Sequence, residues 1–267
     1  MNCRVGAVSY LNSKPLIADL QRLVPEATIV VDLPSRLADQ LAGEQLDVAL
    51  IPSIEFFHHS DYQIVSDACV SCEGPVRSVK LYSRVPVVEI RTLSLDEGSR
   101  TSAALVKILL QEQFHVEPDY QMLPIGTLPE QCSSDAVLLI GDRAMRPVDG
   151  PFQVVWDLGE QWIAWTGLPF VFSMWVARPE ADVRRLGAVF ASARDAGVER
   201  LEEIARREAP NVGLSEDLCL RYLRDHLTFR LGPRQRQGLA RFYELACRTG
   251  LAPAGAGRSI DRELEPT

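Results

Sequence analysis

The chain has no excess of positive charge. Of its 267 residues, 28 are Lys or Arg and 36 are Asp or Glu, which gives a formal net charge of -8. Nucleic-acid-binding domains usually carry a basic patch or stripe, so this balance argues against a nucleic acid as the partner. A small anionic ligand stays compatible with the charge, because backbone dipoles at helix ends act locally.

Long apolar runs are also missing. The longest, such as Leu168 to Ala177, are much shorter than the roughly 20 residues with which a helix spans a bilayer. The opening residues, Met1 to Gly6, lack the basic stretch, apolar region and cleavage site of a secretory signal. We therefore expect a cytoplasmic protein without a membrane partner.

Cysteine is scarce, and its six residues are scattered, which predicts reduced thiols rather than a disulfide framework. Cys69 and Cys72 have the C-x-x-C spacing and follow His58 and His59. A structural zinc site needs four well-spaced ligands, and no second pair follows, so a metal site is disfavoured. Nucleotide-binding glycine loops, the G-x-S-x-G elbow and the H-E-x-x-H motif are absent, which argues against the common activities they mark.

The residues that are present predict alternating strands and helices. Hydrophobic residues make up 46% of the chain and charged residues 24%, as in ordinary globular proteins. The predicted order in the first part is strand Arg4–Tyr10, helix Pro15–Leu23, strand Thr28–Val31, helix Pro34–Gln45 and strand Val48–Ile51. This alternation is typical of a parallel α/β sheet, which binds ligands beyond the carboxyl ends of its strands.

A second alternation follows and indicates two lobes. Its predicted elements are strand Ser78–Arg84, strand Thr92–Leu95, helix Ser99–Phe114, strand Ala136–Ile140 and strand Phe170–Ala177. From Glu180 onward the pattern is helical, with helices predicted over about 181–207, 215–225 and 233–249. Without a flexible linker, the second lobe is expected as an insertion: residues 1–80 and 174–267 form lobe 1, and 81–173 form lobe 2. Residues 252–267, rich in Ala, Gly, Pro and charge, are expected to form a mobile tail.

Two segments have the composition of a helix start after a strand. In Ser9–Pro15, polar side chains precede a proline in the first turn, and Asp96–Ala103 repeats this pattern in the other lobe. Unpaired backbone N–H groups and the helix dipole favour a carboxylate at such places. Simple capping, by Asn12 or Ser13 in one and by Ser99 or Thr101 in the other, is the alternative.

Two further segments are candidates. Gly141 and Asp142 follow a strand, where glycine permits a close backbone approach and the carboxylate orients a hydroxyl or caps a short helix. Thr166 and Gly167 join a helix to the returning strand; Gly167 is expected to end that helix, and Thr166 to point into the cleft.

The amino-acid sequence of these segments resembles one family, the chorismate dehydratases of the futalosine pathway to menaquinone. The resemblance runs in order through Val8–Asn12 with Pro15–Leu16, Ala49–Glu55, Ser94–Asp96 with Ser99–Ser102, Ile140–Ala144, Asp157–Gly159 with Trp162, and Thr166–Phe172. It implies a fold similar to a type 2 periplasmic binding protein, with two α/β lobes closing on a ligand. The implied reaction removes water from chorismate to give 3-[(1-carboxyvinyl)oxy]benzoate, without a metal or organic cofactor.

The resemblance also implies roles for individual residues. Ser99, Thr101 and Ser102 would hold one substrate carboxylate, while Ser9 and Asn12 would orient the ring hydroxyl or the ether. Asn12 is the expected direct influence on the departing group, and Asp142, or the substrate's own enolpyruvyl carboxylate, is the expected proton acceptor. The remaining expected substrate-binding residues are Tyr10, Ser53, Ser78, Arg100, Gly141, Thr166 and Gly167.

Two alternatives stay open. The sister enzyme 1,4-dihydroxy-6-naphthoate synthase shares the fold, but its opening loop differs from the Ser9–Asn12 phrase. A non-catalytic solute-binding protein of the same fold would need an export signal or lipid anchor. The sequence leaves the oligomeric state open.

Overall fold

The computed structural model describes residues 3–179 and 181–254. Its strands are β1 Arg4–Val8, β2 Thr28–Asp32, β3 Val48–Pro52, β4 Gln63–Cys72, β5 Val79–Ser83, β6 Thr92–Asp96, β7 Asp119–Leu123, β8 Ala136–Ile140, β9 Val154–Asp157, β10 Phe170–Ala177 and β11 Thr228–Arg230. Its α-helices are α1 Lys14–Ile17, α2 Leu20–Leu23, α3 Pro34–Ala42, α4 Ser53–His58, α5 Thr101–Phe114, α6 Leu158–Thr166, α7 Val183–Val198, α8 Leu201–Val212, α9 Glu216–Arg221 and α10 Pro233–Arg248. Short 3-10 helices cover Leu11–Ser13, Val87–Glu89, Pro129–Gln131 and Asp142–Met145, and Tyr222–His226 forms a π-helix.

The strands form two sheets with the same internal arrangement. The first has the order β11-β4-β10-β3-β1-β2, and the second has the order β7-β6-β8-β5-β9. In the first, β1 pairs in parallel with both β2 and β3; in the second, β6 pairs in parallel with both β7 and β8. An antiparallel strand follows in each case, β10 beside β3 and β5 beside β8. β1 and β6 therefore occupy equivalent positions, and so do β3 and β8.

The core explains why these segments form strands. Every residue of β3, β8 and β10 is buried, as expected for strands covered on both faces. One large apolar cluster includes residues of both sheets and of the C-terminal helices. A smaller cluster lies on the other face of the second sheet, around Tyr82 and Leu123.

The predicted parallel β1-β2-β3 unit is confirmed, but both sheets also contain strands that the sequence did not indicate. β4, β7 and β11 were not predicted, and the long helix expected over residues 181–207 is divided into α7 and α8. The lobe boundaries at 80/81 and 173/174 stay a prediction; they fall inside β5 and β10, each of which pairs within one sheet. Most of the predicted tail, residues 255–267, lies outside the described residues.

Candidate functional site

A cavity lies between the two sheets, where loops that follow parallel strands face one another. The loops after β1 and β3 contribute one side, and the loops after β6 and β8 contribute the other. The polar lining consists of Tyr10, Asn12, Ser78, Ser99, Arg100, Thr101, Ser102 and Ser173. The apolar lining includes Val8, Val70, Val76, Ile140 and Phe172. Hydroxyl groups dominate the polar part, so the cavity is suited to binding the oxygens of a small organic molecule.

Tyr10 closes this cavity by packing across the cleft against two glycines. A methyl group built onto Gly141 would lie 2.8 Å from the Tyr10 ring, and one built onto Gly98 would lie 2.8 Å from the Tyr10 hydroxyl. Gly141 also has φ 69° and ψ -157°, a backbone region that is essentially restricted to glycine. Both glycines are therefore required for the loop after β1 to dock on the second sheet.

The cavity is small in this closed conformation. Its volume is about 50 Å³, on a scale on which one water molecule needs about 10–15 Å³. Roughly four water molecules therefore fit. A six-membered ring with polar substituents needs more room, so ligand entry requires the two sheets to move apart.

The start of α5 offers the open binding groups of the cavity. The first N–H groups of an α-helix have no acceptor within the helix, and the N-cap position is Arg100, whose side chain does not cap. Ser99 Oγ is buried and has no hydrogen-bond partner among the described residues. Ser102 is 5% exposed and lines the cavity. Ser99 and Ser102 are therefore available to a carboxylate.

Thr101 has a different role from its neighbours. Its Oγ1 accepts a hydrogen bond from the Ile54 backbone N–H at 3.3 Å and lies 3.4 Å from Ser53 Oγ. Ser53 is fully buried and donates to the Val171 carbonyl at 2.7 Å. Thr101 thus links the start of α5 to the start of α4. The alternative, simple capping by Ser99 or Thr101, is wrong, because no side chain caps this helix start.

Arg100 lines the cavity, but its charge is already paired. Its guanidinium lies 2.6 Å from Asp39 Oδ1 and 3.1 Å from Glu55 Oε2. Both carboxylates belong to helices beside the first sheet, so the pair joins the two sides of the cleft. Arg100 is better placed to hold the closed form than to neutralise a ligand.

The helix start after β1 is occupied by the protein's own carboxylate. Leu11 N–H donates to Asp142, at 3.0 Å and 3.3 Å to its two carboxylate oxygens. Ser13 Oγ donates to the carbonyls of Val8 and Tyr10 instead of capping. Burial raises the pKa of Asp142 to about 6, although the Leu11 hydrogen bond opposes this shift. The carboxylate-binding helix start that was expected here therefore exists, and the Asp142 side chain occupies it.

The remaining predicted residues lie outside the cavity lining. Ser9 N–H donates to the Asp32 carbonyl. Thr166 Oγ1 donates to the Trp162 carbonyl at 2.8 Å. Gly167 ends α6 in the left-handed conformation, as predicted. Ser9, Ser53, Asp142, Thr166 and Gly167 are all absent from the residues that line the cavity.

Sequence reasoning missed Tyr222. Its hydroxyl donates a 2.7 Å hydrogen bond to Ser78 Oγ, and the Asn12 side chain influences the pKa of the same hydroxyl. Ser78 and Asn12 both line the cavity. A single tyrosine within a helical stretch gives no local signal for this position.

A larger cavity, about 230 Å³, lies at the opposite end of the first sheet, beside Cys3 and Asp47. These residues precede β1 and β3, whereas α/β sheets bind ligands at the carboxyl ends of their strands. Asp47 there is paired with Arg4 at 2.6 Å. The cavity between the sheets is therefore the better candidate.

The described residues contain no group of three or more His, Cys, Asp or Glu placed to hold a metal ion. Cys69 and Cys72 are buried in β4, where burial raises the pKa of both thiols. Within the same ranges, no helix is both long enough and apolar enough to cross a bilayer.

Solved structures with the same architecture include three from different organisms. A protein of Archaeoglobus fulgidus has a TM-score of 0.75 at 16% identity, covering 94% of this chain and 98% of that one. The periplasmic aliphatic sulphonate binding protein of Escherichia coli has a TM-score of 0.63 at 18% identity, covering 100% and 92%. A Candida albicans protein described as having the generic periplasmic binding protein fold has a TM-score of 0.62 at 12% identity, covering 97% and 93%. The predicted two-lobed periplasmic-binding-protein-like fold is confirmed.

Sequence comparison identifies the family. The family model described as menaquinone biosynthesis matches residues 3–248. A chorismate dehydratase of Thermus thermophilus is 30% identical over 259 residues, which cover 90% of this chain and 93% of that protein. Because the match extends through both sheets and the C-terminal helices, the chain belongs to the menaquinone biosynthesis family.

Proposed function

We propose that this protein is an enzyme, a chorismate dehydratase, which eliminates water from chorismate to give 3-[(1-carboxyvinyl)oxy]benzoate. The ring loses a hydrogen as a proton and its hydroxyl group as hydroxide, and the two leave as one water molecule while the ring becomes aromatic. The 30% identity to the Thermus enzyme over nearly the whole chain carries this proposal. The cavity between the sheets supports it, because its hydroxyl groups match a substrate made of carboxylates, a hydroxyl and an ether.

The start of α5 is the proposed seat of one substrate carboxylate. Ser99 Oγ has no partner among the described residues, and Ser102 lines the same wall. The N–H groups at the helix start add charge-assisted hydrogen bonds and a favourable dipole. This seat compensates for the pairing of Arg100 with Asp39 and Glu55.

Asn12 and Ser78 are the proposed contacts of the departing hydroxyl. Both line the cavity, and Ser78 accepts a hydrogen bond from Tyr222. Of the two expected proton acceptors, the substrate's enolpyruvyl carboxylate is favoured, since Asp142 is outside the lining and accepts from Leu11. Closure of the cleft excludes water and fixes the reacting geometry.

Incubating the purified protein with chorismate tests the reaction. We expect a product lighter by one water molecule, with the ultraviolet absorption of a substituted benzoate. Binding of chorismate without turnover would instead favour a solute-binding protein. No binding at all would favour the sister synthase and overturn the proposed function.

Replacing Asn12 with alanine tests its role. We expect kcat to fall about 100-fold, the size of effect seen when one donor to a developing charge is removed, while KM changes little. Asn211→Ala is the control, because Asn211 is exposed and its side chain contacts Glu208 on the same helix. Equal losses in kcat and in binding would reduce Asn12 to an anchor.

A further inference from the structure

Tyr222 connects the C-terminal helices to the cavity. It begins the π-helix Tyr222–His226 that follows α9, and its side chain is 1% exposed. Its hydroxyl oxygen lies 2.7 Å from Ser78 Oγ, and the Asn12 side chain influences the pKa of the same hydroxyl. Tyr222 is not itself part of the cavity lining, so its hydroxyl acts from behind two residues that are.

A phenol has one proton to donate, and Tyr222 donates it to Ser78. The Asn12 side chain is close enough to the same hydroxyl to lower its pKa slightly. Burial raises the pKa of Tyr222 well above its usual range, so the hydroxyl keeps this proton. Ser78, which accepts from Tyr222, has its own hydroxyl proton left to donate elsewhere.

The π-helix contacts the backbone of the segment before β5 as well as the side chain of Ser78. His226, at the far end of the π-helix, lies with its Nδ1 3.0 Å from the Pro75 carbonyl. Asp157 accepts hydrogen bonds from the N–H groups of Val76 and Arg77 in the same segment. Ser78 is thus held on a segment with anchors on both sides. π-Helical turns of this kind frequently occur at functional sites.

We propose that Tyr222 is a positioning residue, which directs the Ser78 hydroxyl proton toward the hydroxyl group that leaves the substrate. This role rests on the proposed dehydration, in which the departing oxygen gains negative charge and needs donors. Tyr222 touches neither substrate nor reacting atoms. It acts by removing the freedom of the Ser78 hydroxyl to rotate away.

Tyr222→Phe tests this role, because it removes one oxygen and keeps the ring. We expect kcat to fall about tenfold, the effect of one oriented hydrogen bond, with KM unchanged within about twofold and the circular dichroism spectrum retained. Tyr82→Phe is the matched control: Tyr82 is also buried, but it belongs to the separate cluster on the other face of the second sheet. A merely structural Tyr222 would lower the melting temperature and leave kcat of the folded enzyme intact, which overturns the proposal.

The pathway of the effect is tested with Ser78→Ala, alone and combined with Tyr222→Phe. We expect the single Ser78 variant to lose kcat by at least as much as Tyr222→Phe, and the double variant to lose little more. Multiplicative losses, or an unchanged kcat in Ser78→Ala, overturn the role for Tyr222 even if its own variant is unstable. Wild-type enzyme is assayed in parallel: absence of product with wild type overturns the proposed function, whereas normal turnover by both wild type and Tyr222→Phe overturns only the role of Tyr222.

Discussion

The loops after β1 and β6 occupy equivalent positions in their sheets, and both lead from a strand into a helix. After β1, the Leu11 N–H is taken by Asp142, a carboxylate from the opposite sheet. After β6, Ser99 lines the cavity, and its Oγ has no hydrogen-bond partner in the described protein. Both helix starts contact the opposite side of the cleft, the second through Arg100 and Thr101. They differ in that a carboxylate of the protein occupies the first, whereas Ser99 in the second keeps an unpaired hydroxyl.

This difference changes the expected mode of binding. If both helix starts had unpaired N–H groups, they would bind the two carboxylates of one ligand from opposite sides. Because Asp142 occupies the first helix start, the protein offers one carboxylate site, at the start of α5, and Asn12 and Ser78 line the same cavity. This arrangement suits a substrate in which a carboxylate is bound at one end and the reacting hydroxyl group lies at the other.

The largest expected effect comes from Gly141→Ala, which disrupts the packing of Tyr10, in the loop after β1, against the second sheet. The added methyl group would lie 2.8 Å from the Tyr10 ring on a backbone restricted to glycine, so closure should fail and kcat/KM should fall at least about 100-fold. The strain itself should cost about 1–3 kcal/mol of stability. Steady-state kinetics and urea unfolding measure both losses.

Gly126→Ala is the control for that change. Gly126 also has a positive φ, +91°, but a methyl group there would meet nothing within 4 Å. It should lose stability through strain and retain its activity. If both variants lost activity equally, the docking of Tyr10 on Gly141 would not matter for catalysis.

A second expected effect is a pH dependence of stability that arises from Asp142, the carboxylate at the helix start after β1. The pKa of Asp142 is about 6 in the folded protein against an ordinary 3.8, so the folded state binds this proton more tightly than the unfolded state. Its contribution to stability is present below about pH 4 and is lost as the pH rises through about 6. Discounted for partial exposure, the loss is about 2 kcal/mol.

Asp142→Asn removes this titration while an amide oxygen can still accept from Leu11. We expect the free energy of unfolding of the variant, minus that of wild type, to rise by about 2 kcal/mol between pH 4 and pH 7. Urea unfolding of both proteins across this range measures the difference. A difference that stays constant with pH would show that Asp142 is not buried against Leu11.

The smallest expected effect comes from Ser99, at the proposed carboxylate site at the start of α5. Ser99→Ala should raise KM for chorismate about tenfold, since one hydrogen bond to a charged group contributes about 1.5 kcal/mol, and should leave kcat within about threefold. Ser9→Ala is the matching change after β1 and should leave KM unchanged, because Ser9 is outside the cavity lining. Equal KM changes in the two variants would remove the distinction between the two helix starts.

Much of the fold could be predicted because its signals are local. β1 and β3 are short apolar runs, and Pro15, Pro34 and Gly167 mark helix ends by their backbone preferences. β4 was missed because polar residues interrupt its apolar pattern. Those residues have distant partners: Ser71 hydrogen-bonds to Thr228, and Asp67 pairs with Arg194.

The site was predictable to a similar degree. Tyr10 and Asn12 after β1, and Ser99–Ser102 after β6, do line the cavity, because α/β sheets bind ligands beyond the carboxyl ends of parallel strands. Ser78 lines it too, although it precedes the antiparallel strand β5. Thr166 could not be assigned, since a hydroxyl at a helix end turns inward or bonds the preceding carbonyl with equal ease, and here it bonds Trp162.

By itself, the sequence determined where strands end and helices begin, because steric limits and apolar periodicity act over a few residues. Only the tertiary structure decided which helix start stays open. The occupant of the first, Asp142, is 131 positions away from Leu11 along the chain, and Tyr222 is 144 positions away from Ser78. Hydrogen bonds over such separations arise from the packing of whole elements, which no local pattern encodes.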